Sequence, residues 1–293
     1  TTQPLQYLSV CYSMPMWIVE KWCREYGYDI TKKMLVALLQ KRPTTIRCNL
    51  SRVSAEELKE RLEKEGVTVT QSPYLNYAFA IEHYDYLGAL ETFQQGLFQV
   101  QDVSSMLIGE IARTKNTGIK VIDVCAAPGG KALHLADRLA GTGTVEARDL
   151  TEAKVTLIRS NIDRCGMHNI VAVQKDALVF DEASVEQADI LIVDVPCSGL
   201  GVLSRKSDIK YRMSAAQQEE LVKLQRAILE TVCSYVKIGG VLIYSTCTIN
   251  QEENADNLNW FVNNYPYRPD SIEQYLPKEL RTADTPNGFL QLL

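Results

Sequence analysis

From residue 105 onward, predicted strands and helices alternate along the chain, and this alternation constrains the fold more than any other feature of the sequence. Several strand segments are nearly continuous apolar runs, which is typical of strands that helices cover on both faces of a parallel sheet. The pattern indicates a doubly wound α/β domain, in which ligands bind beyond the carboxyl ends of the strands. The predicted strands are Lys120–Cys125, Gly143–Asp149, Ile170–Gln174, Asp189–Asp194 and Gly240–Thr246, and the predicted helices span 104–114, 130–139, 151–165 and 214–236.

The first hundred residues have a different order of elements. We expect two helices, one from a Ser13 cap to about Tyr26 and one from a Thr31 cap to Lys41. A β-α-β-β-α order of segments then predicts a small α+β unit of the ferredoxin-like kind, an architecture that RNA-recognition domains also use. Its predicted strands lie at 45–50, 67–70 and 77–82, and its helices lie near 54–66 and 84–93.

Composition and targeting signals favour an ordinary globular protein. The chain has 293 residues, of which 46% are hydrophobic and 23% are charged. Its apolar runs fall well short of the ~20 residues that a bilayer crossing needs, and no signal-peptide pattern opens the sequence. We therefore expect a cytoplasmic protein with no membrane partner.

The net charge of −5 is unevenly distributed. Residues 1–65 carry eleven Lys and Arg against eight Asp and Glu, so the rest of the chain is the more acidic part. A basic N-terminal region in an otherwise acidic chain is compatible with a surface that contacts phosphates.

The eight cysteines and three histidines form neither a disulfide nor a metal pattern. There is no CxxC pair, and most cysteines lie within apolar segments, which argues against a disulfide framework and a zinc site. The histidines are scattered, so we expect no metal. Two cysteines stand out because each follows a buried strand: Cys197 in "IVDVPCSG" (192–199) and Cys247 in "IYSTCTINQEEN" (243–254).

A glycine-rich loop, "DVCAAPGGKALHLAD" (123–137), follows the first strand of the alternating region. Gly129 and Gly130 allow close approach of a ligand to the backbone, and the next helix offers free N–H groups. The loop is not a P-loop, because Cys125 replaces its first glycine and Ala132 its Ser/Thr, and no G-x-G-x-x-G fingerprint is present. The class of ligand that remains for this loop is a cofactor without a pyrophosphate.

Two acidic residues follow the next two strands. Asp149 in "VEARDL" is placed to hold ribose hydroxyls, and Asp176 in "QKDAL" could accept the amino group of adenine. S-adenosyl-L-methionine meets these demands, so we expect it as the cofactor.

At this point four segments resemble one known family, the RNA (cytosine-5) methyltransferases. The branch is Sun/Fmu, also called RsmB-like, which methylates bacterial 16S ribosomal RNA, and the resemblance covers essentially the whole chain. The paired Pro-Cys and Thr-Cys motifs are its most specific part. The segments are "QDVSSML" (101–107), "DVCAAPGGK" (123–131), "DVPCSGLGVLSRKSDIKYR" (194–212) and "YSTCTINQEEN" (244–254).

The resemblance implies a reason for two thiols. Carbon 5 of cytosine is too weak a nucleophile to accept a methyl group unaided, so a thiolate adds at carbon 6 and makes carbon 5 enamine-like. The resemblance makes Cys247 this nucleophile and gives Cys197 a part in proton removal or product release. It places Asp194 against the exocyclic amine and ring nitrogen of the base, and Lys131 is a candidate source of positive charge near the thiol.

The resemblance also implies a Rossmann-like class I methyltransferase domain and a division of the chain into three parts. These are N-terminal helices (1–42), a ferredoxin-like RNA-binding domain (43–102) and the methyltransferase domain (103–293). It further implies that the chain lacks a NusB-like helical domain and the strand that usually completes the sheet. The expected cofactor-binding residues are Cys125, Ala126, Ala127, Pro128, Gly129, Gly130, Lys131, Asp149, Asp176 and Asp194.

The target base must leave its stack to enter such a pocket, so single-stranded or looped RNA is the expected substrate. Four basic residues beyond the Pro-Cys loop are placed for flanking phosphates: Arg205, Lys206, Lys210 and Arg212.

Three alternatives stay open. The substrate could be tRNA or another rRNA. It could be DNA, in which case the two cysteines would exchange roles, because the nucleophile of DNA cytosine methyltransferases lies in the Pro-Cys loop. A non-catalytic RNA-binding assembly factor would keep the fold without the reaction, although Lys131, Asp194, Cys197 and Cys247 are all present.

Overall fold

The computed structural model describes residues 2–40, 42–114 and 116–293, beginning with three helices. These are α1 (Thr2–Cys11), α2 (Met16–Tyr26) and α3 (Tyr28–Leu38). The prediction of a Ser13 cap is wrong, because α2 begins after Pro15, whose ring fixes a backbone angle suited to a helix start. Thr31 caps nothing either: it is buried inside α3 and donates to the Gly27 carbonyl at 2.8 Å. The predicted helix end at Lys41 lies outside the described residues.

A four-stranded antiparallel sheet follows, in the order β2-β3-β1-β4. This order confirms the ferredoxin-like prediction. The predicted helix at 84–93 is wrong in extent, because the segment forms a 3₁₀ turn at Leu87–Ala89 before a short helix. The elements are β1 (Thr44–Cys48), α4 (Ala55–Lys64), β2 (Thr68–Gln71), β3 (Ala78–Glu82), α5 (Glu91–Gln94) and β4 (Phe98–Val100).

The second sheet is parallel throughout, in the order β7-β6-β5-β8-β9. The predicted doubly wound α/β architecture is therefore confirmed. Strands β8 and β9 are direct neighbours, with Asp194 opposite Ser245. The elements are α6 (Val103–Ile111), β5 (Lys120–Asp123), α7 (Gly130–Leu139), β6 (Thr144–Asp149), α8 (Glu152–Cys165), β7 (Ile170–Gln174), β8 (Ala188–Asp194), α9 (Ile209–Arg212), α10 (Ala215–Val232), β9 (Val236–Ser245) and α11 (Ala255–Asn264).

Both faces of the central strands β5 and β8 are buried, as their apolar runs require. On one face Val121 packs with Leu133 of α7, and on the other Ile122 packs with Leu229 of α10. Because successive strand residues point to opposite faces, one short strand supplies both cores. The carboxyl ends of β5, β8 and β9 are thereby fixed at a single edge.

A buried ion pair joins the two sheets. Arg47 of β1 is fully buried and contacts Asp137 of α7 at 2.8 Å. Asp137 also accepts the backbone N–H groups of Leu50 and Ser51, at 3.0 and 2.8 Å, and Gln101 accepts from Arg47 at 3.0 Å. Removing one member of such a pair typically costs about 3–5 kcal/mol. The antiparallel sheet is therefore held firmly against α7.

The N-terminal helices lie behind the loops that follow β8 and β9. Ile18 and Trp22 are buried against Leu203 and Ile249 of those loops. Tyr26 Oη donates to the backbone carbonyl of Ile249. The first helices therefore support the edge of the sheet where the predicted site residues lie. None of the helices among the described residues combines the length and the apolar character needed to cross a membrane.

Candidate active site

Two cysteines meet where the loops after β8 and β9 converge. Cys197 Sγ and Cys247 Sγ are 3.0 Å apart, and the Cys247 backbone N–H donates to Cys197 Sγ at 3.2 Å. Cys247 is exposed, whereas Cys197 is half-buried, and both are free thiols. The Gly201 N–H donates to the Cys247 carbonyl at 3.0 Å, which ties the loops together. The pairing of β8 with β9 thus brings both sulfur atoms to one point.

The two thiols differ in acidity. The Cys197 thiol donates a hydrogen bond that lowers the pKa of Cys247, and Lys131 and Lys206 lower it further, against the opposing effects of burial and of Asp194. The same contact raises the pKa of Cys197 well above its usual value, and burial adds to this effect. Cys247 is therefore the thiol that ionises first, and the thiolate is the nucleophilic form of cysteine.

Lys131 and Asp194 form an ion pair beside Cys247. Lys131 Nζ lies 2.6 Å from Asp194 Oδ2, and Ser245 Oγ donates to Asp194 Oδ1 at 2.6 Å. Burial opposes the charge on Lys131, but Asp194 outweighs burial and raises the pKa of Lys131. The lysine therefore stays cationic, and its charge favours the Cys247 thiolate.

Asp123, at the end of β5, is a site residue that sequence reasoning missed. Its side chain is fully buried, and its Oδ2 atom has no hydrogen-bond partner among the described residues. Burial and the nearby Asp194 carboxylate raise the pKa of Asp123 to about 8. At neutral pH this carboxyl is mostly protonated, so the site carries one carboxylate beside Lys131 rather than two. The signal was present, because Asp123 opens the glycine loop in the sequence.

The glycine turn precedes α7 and is braced by Asp149. Gly129 has a φ of 102°, a backbone conformation that favours glycine. Asp149, which is buried, accepts the N–H groups of Ala127 and Leu150 at 2.9 and 2.8 Å, and Lys154 lies 2.9 Å from its Oδ1 atom. In the structure this carboxylate holds the turn in place and connects β5 with β6.

Two other predicted cofactor residues lie at strand ends around the turn. The Cys125 side chain packs against the core under α10, and burial raises the pKa of its thiol to about 12. Asp176 follows β7 and accepts the Leu178 N–H at 2.9 Å. Cys125 thus contributes to the core, whereas Asp176 begins a turn at the far end of the same sheet edge.

One cavity connects the glycine turn with the exposed cysteine. It has a volume of about 2040 Å³ and extends from this edge of the sheet along β9. Throughout the described residues, no three His, Cys, Asp or Glu side chains are grouped to hold a metal ion. The predicted site residues that line the cavity are Ala126, Ala127, Pro128, Gly130, Lys131, Asp194, Arg205, Lys206 and Cys247.

The four predicted RNA-binding residues have different contacts in the structure. Arg205 forms an ion pair with Asp102, next to β4, so its guanidinium is not available to a phosphate while that pair is formed. Lys206 is exposed at the cavity, close enough to Cys247 to lower the pKa of its thiol, after the larger effect of the Cys197 hydrogen bond. Lys210 and Arg212 lie farther along, on α9. Lys210 Nζ is 5.1 Å from the Tyr211 ring centroid, and Arg212 lies 3.4 Å from Asp208.

We predict that Cys197→Ala raises the pH at which Cys247 becomes reactive. Thiolate forms above the thiol pKa, so the pKa of Cys247, which the Cys197 hydrogen bond lowers, places its alkylation midpoint below that of an ordinary cysteine. Loss of the Cys197 donor should move that midpoint up by about one pH unit. The measurement is the rate of iodoacetamide labelling of Cys247 against pH, by peptide mass spectrometry. Cys233→Ala, at a half-buried thiol before β9, is the control, and an unmoved midpoint in Cys197→Ala would contradict the assignment.

Family models match two parts of this chain. Residues 112–279 match the model described as 16S rRNA methyltransferase RsmB/F. Residues 14–85 match the ferredoxin-like domain of RsmF/B-like methyltransferases. The first match covers the parallel sheet and α11 and includes both cysteines. The second covers α2 to α4 and β1 to β3.

Individual relatives agree with these matches. The probable ribosomal RNA small subunit methyltransferase B of Bacillus subtilis is 35% identical over 99% of this chain and 65% of its own length. The ribosomal RNA small subunit methyltransferase F of Cronobacter sakazakii is 32% identical over 85% of this chain and 53% of its own length. The chain thus spans between about half and two thirds of these relatives.

A solved structure has the same fold along nearly the whole chain. It is a methyltransferase homologue from Pyrococcus horikoshii, which superposes with a TM-score of 0.77 at 25% identity over 93% of this chain and 88% of its own. Together with the two family models, this similarity confirms the predicted resemblance and the Rossmann-like fold. The chain belongs to the RsmB/F family of 16S rRNA methyltransferases.

Proposed function

We propose that this protein transfers a methyl group from S-adenosyl-L-methionine to carbon 5 of a cytosine in 16S ribosomal RNA, through a covalent Cys247 adduct at carbon 6. The observation that carries the proposal is the Cys247–Cys197 sulfur pair beside the Lys131–Asp194 ion pair. Cys247, Lys131 and Asp194 border a cavity that also reaches the glycine turn. The names of the relatives support rRNA as the substrate class.

The residues around the turn fit adenosylmethionine. The turn presents small residues to the cavity, and the first N–H groups of α7 have no partner within the helix. Ala126 to Lys131, with Asp149, Asp176 and Asp194 around them, would hold the cofactor at this edge of the sheet. When bound, it supplies an electrophilic methyl group on a sulfonium.

The first step falls to Cys247. Its thiolate adds to carbon 6 of the cytosine and raises the electron density at carbon 5, which then accepts the methyl group. Lys131 favours the thiolate through its charge. Asp194, held by Lys131 and Ser245, would bind the exocyclic amine and ring nitrogen and stabilise the charge that develops there.

The second step requires removal of the proton from carbon 5, after which the Cys247–carbon 6 bond breaks and aromaticity returns. Cys197, whose sulfur lies 3.0 Å from that of Cys247, is placed to assist this proton removal and release. Its raised pKa, which the Cys247 hydrogen bond and burial produce, keeps it a thiol while Cys247 reacts. Once Cys247 is bonded to carbon 6, that hydrogen bond is lost, so Cys197 can give its proton to solvent and accept the carbon 5 proton as a thiolate, while Cys247 leaves as a thiolate. The two cysteines thus act at opposite ends of one reaction.

The RNA must present its target base outside a stack, because a stacked base cannot bring its carbon 6 to the Cys247 sulfur. Lys206 is the best placed of the basic residues to meet a neighbouring phosphate, with Lys210 and Arg212 farther along the same surface. Arg205 would have to leave Asp102 to do the same.

The direct test is methyl transfer by the purified protein from tritium-labelled adenosylmethionine. Small-subunit rRNA, large-subunit rRNA and tRNA are offered separately, and the product nucleoside is identified by mass spectrometry. We expect 5-methylcytidine in small-subunit rRNA. Label in another RNA would reassign the substrate, and RNA binding without methyl transfer would favour the assembly-factor alternative.

A further inference from the structure

Glu253, in the loop after β9, is fully buried although it is an acidic residue. Its carboxylate accepts four hydrogen bonds. The Ser198 backbone N–H and the Gln225 side chain donate to Oε2, both at 2.9 Å. The Ser198 hydroxyl and the Asn250 side chain donate to Oε1, at 2.5 and 2.9 Å. Burial of a carboxylate is unfavourable unless donors satisfy its oxygens, and here four neutral donors do so.

Three of these donor groups belong to the two loops that carry the cysteines. Ser198 directly follows Cys197, and Asn250 lies three residues after Cys247. Asn250 Nδ2 also donates to Ser198 Oγ at 3.0 Å. Glu253 therefore ties the Pro-Cys loop to the Thr-Cys loop at a point next to both sulfur atoms.

Helix α10 supplies a third anchor through Gln225. The same Gln225 amide that donates to Glu253 also donates to the Pro196 carbonyl at 2.9 Å. Cys197 is thus held on its N-terminal side through Pro196 and on its C-terminal side through Ser198. Both attachments lead to Glu253.

We propose that Glu253 is a positioning residue that holds Cys197 against Cys247 and so sets the sulfur spacing on which release of the RNA depends. The role in release rests on the proposed function, whereas the role in sulfur spacing does not. Glu253 touches neither sulfur, so it acts through Ser198 and Pro196.

The sulfur spacing can be tested without RNA or cofactor. Diamide accepts the two thiol hydrogens while the Cys197–Cys247 S–S bond forms, and the rate depends on how the sulfurs are held. We expect the wild-type protein to form this disulfide readily, and Glu253→Gln to form it at least about 10-fold more slowly. The substitution places an amide NH₂ against donors and breaks two of the four hydrogen bonds. The linked peptides are quantified by mass spectrometry.

Glu252→Gln is the matched control. Glu252 is adjacent in sequence, but it is half-exposed and pairs with Lys21 at 2.6 Å, away from the cysteine pair. Its substitution should leave the cross-linking rate within about twofold of wild type. A wild-type rate in Glu253→Gln overturns the proposal, as does a wild-type protein that forms no such disulfide.

If circular dichroism shows that Glu253→Gln does not fold, a second variant tests whether Glu253 sets the sulfur spacing. Ser198→Ala removes the hydroxyl contact to Glu253 and keeps the backbone one. We expect its cross-linking rate to fall by about threefold or more. An unchanged rate in this variant then overturns the proposal.

Methyl-transfer turnover distinguishes a residue that positions Cys197 from one that only stabilises the fold. In Glu253→Gln we expect methyl-transfer turnover to fall about 100-fold and covalent protein–RNA adduct to accumulate, while alkylation of Cys247 slows by no more than about 10-fold, the factor expected for Cys197→Ala. If the proposed function fails, the wild-type protein transfers no methyl group, yet the cross-linking rates still differ. If the positioning role fails, the cross-linking rates are equal.

Discussion

Replacement of Cys247 by alanine will abolish methyl transfer to cytosine while binding of adenosylmethionine remains. Without a thiolate at carbon 6, carbon 5 does not become nucleophilic enough to accept the methyl group, so the loss should be about 10⁴-fold or more. The proposed cofactor site is the glycine turn, after a different strand from the one that precedes Cys247, so the affinity for adenosylmethionine should change little. Tritium transfer measures the activity, and calorimetry measures cofactor binding.

Cys233→Ala provides the control for loss of a thiol as such, because Cys233 is half-buried at the opposite end of β9. Its activity should stay at the wild-type level. Activity retained in Cys247→Ala would refute the assignment of the nucleophile. The exchanged roles found in DNA cytosine methyltransferases would instead make Cys197→Ala the variant that forms no adduct.

Replacement of Cys197 by alanine will trap a covalent protein–RNA complex. Cys247 can still add to the base, although loss of the Cys197 hydrogen bond raises the pKa of its thiol and slows addition by about 10-fold. Proton removal and release should be slowed more, by about 10²-fold or greater, because they lose the thiol beside the adduct. The adduct is expected as a slowly migrating band of labelled RNA on a denaturing gel.

The double variant, with both cysteines replaced by alanine, shows whether the trapped RNA is attached to Cys247. It should form no band, because the trapped complex depends on Cys247 Sγ. A band in the double variant would show attachment through another residue. Rapid turnover in Cys197→Ala, without accumulation, would assign the release step to a different group.

The sequence predicts the parallel sheet well because strands buried on both faces are continuous apolar runs. Where a strand is not a continuous apolar run, the predicted start or end of that strand is wrong. Strand β9 begins at Val236, before the predicted Gly240, since Ile238 is 94% exposed and two glycines interrupt the pattern. The wrong Ser13 cap has a similar origin, because Pro15 sets the start of α2 through its ring rather than through a side-chain hydrogen bond.

The meeting of Asp194 and Cys247 could be predicted from the sequence, because the topology of a doubly wound sheet gathers the strand ends that they follow. Lys131 reaches them from the start of α7, after the glycine turn. The contacts of Glu253 could not be found, because they depend on how two loops and α10 pack together. The pairing of Arg205 with Asp102 is a similar case, since it requires a segment about one hundred residues away to pass the loop.

The buried Arg47–Asp137 pair has a consequence for protein engineering. A chimaera that grafts the antiparallel sheet of another protein onto this parallel sheet must bring a counterpart for Asp137, or change that aspartate to an apolar residue at the same time. Otherwise one buried charge has no partner, which should cost the hybrid about 3–5 kcal/mol of stability. Modules of this protein are therefore interchangeable only as matched sets.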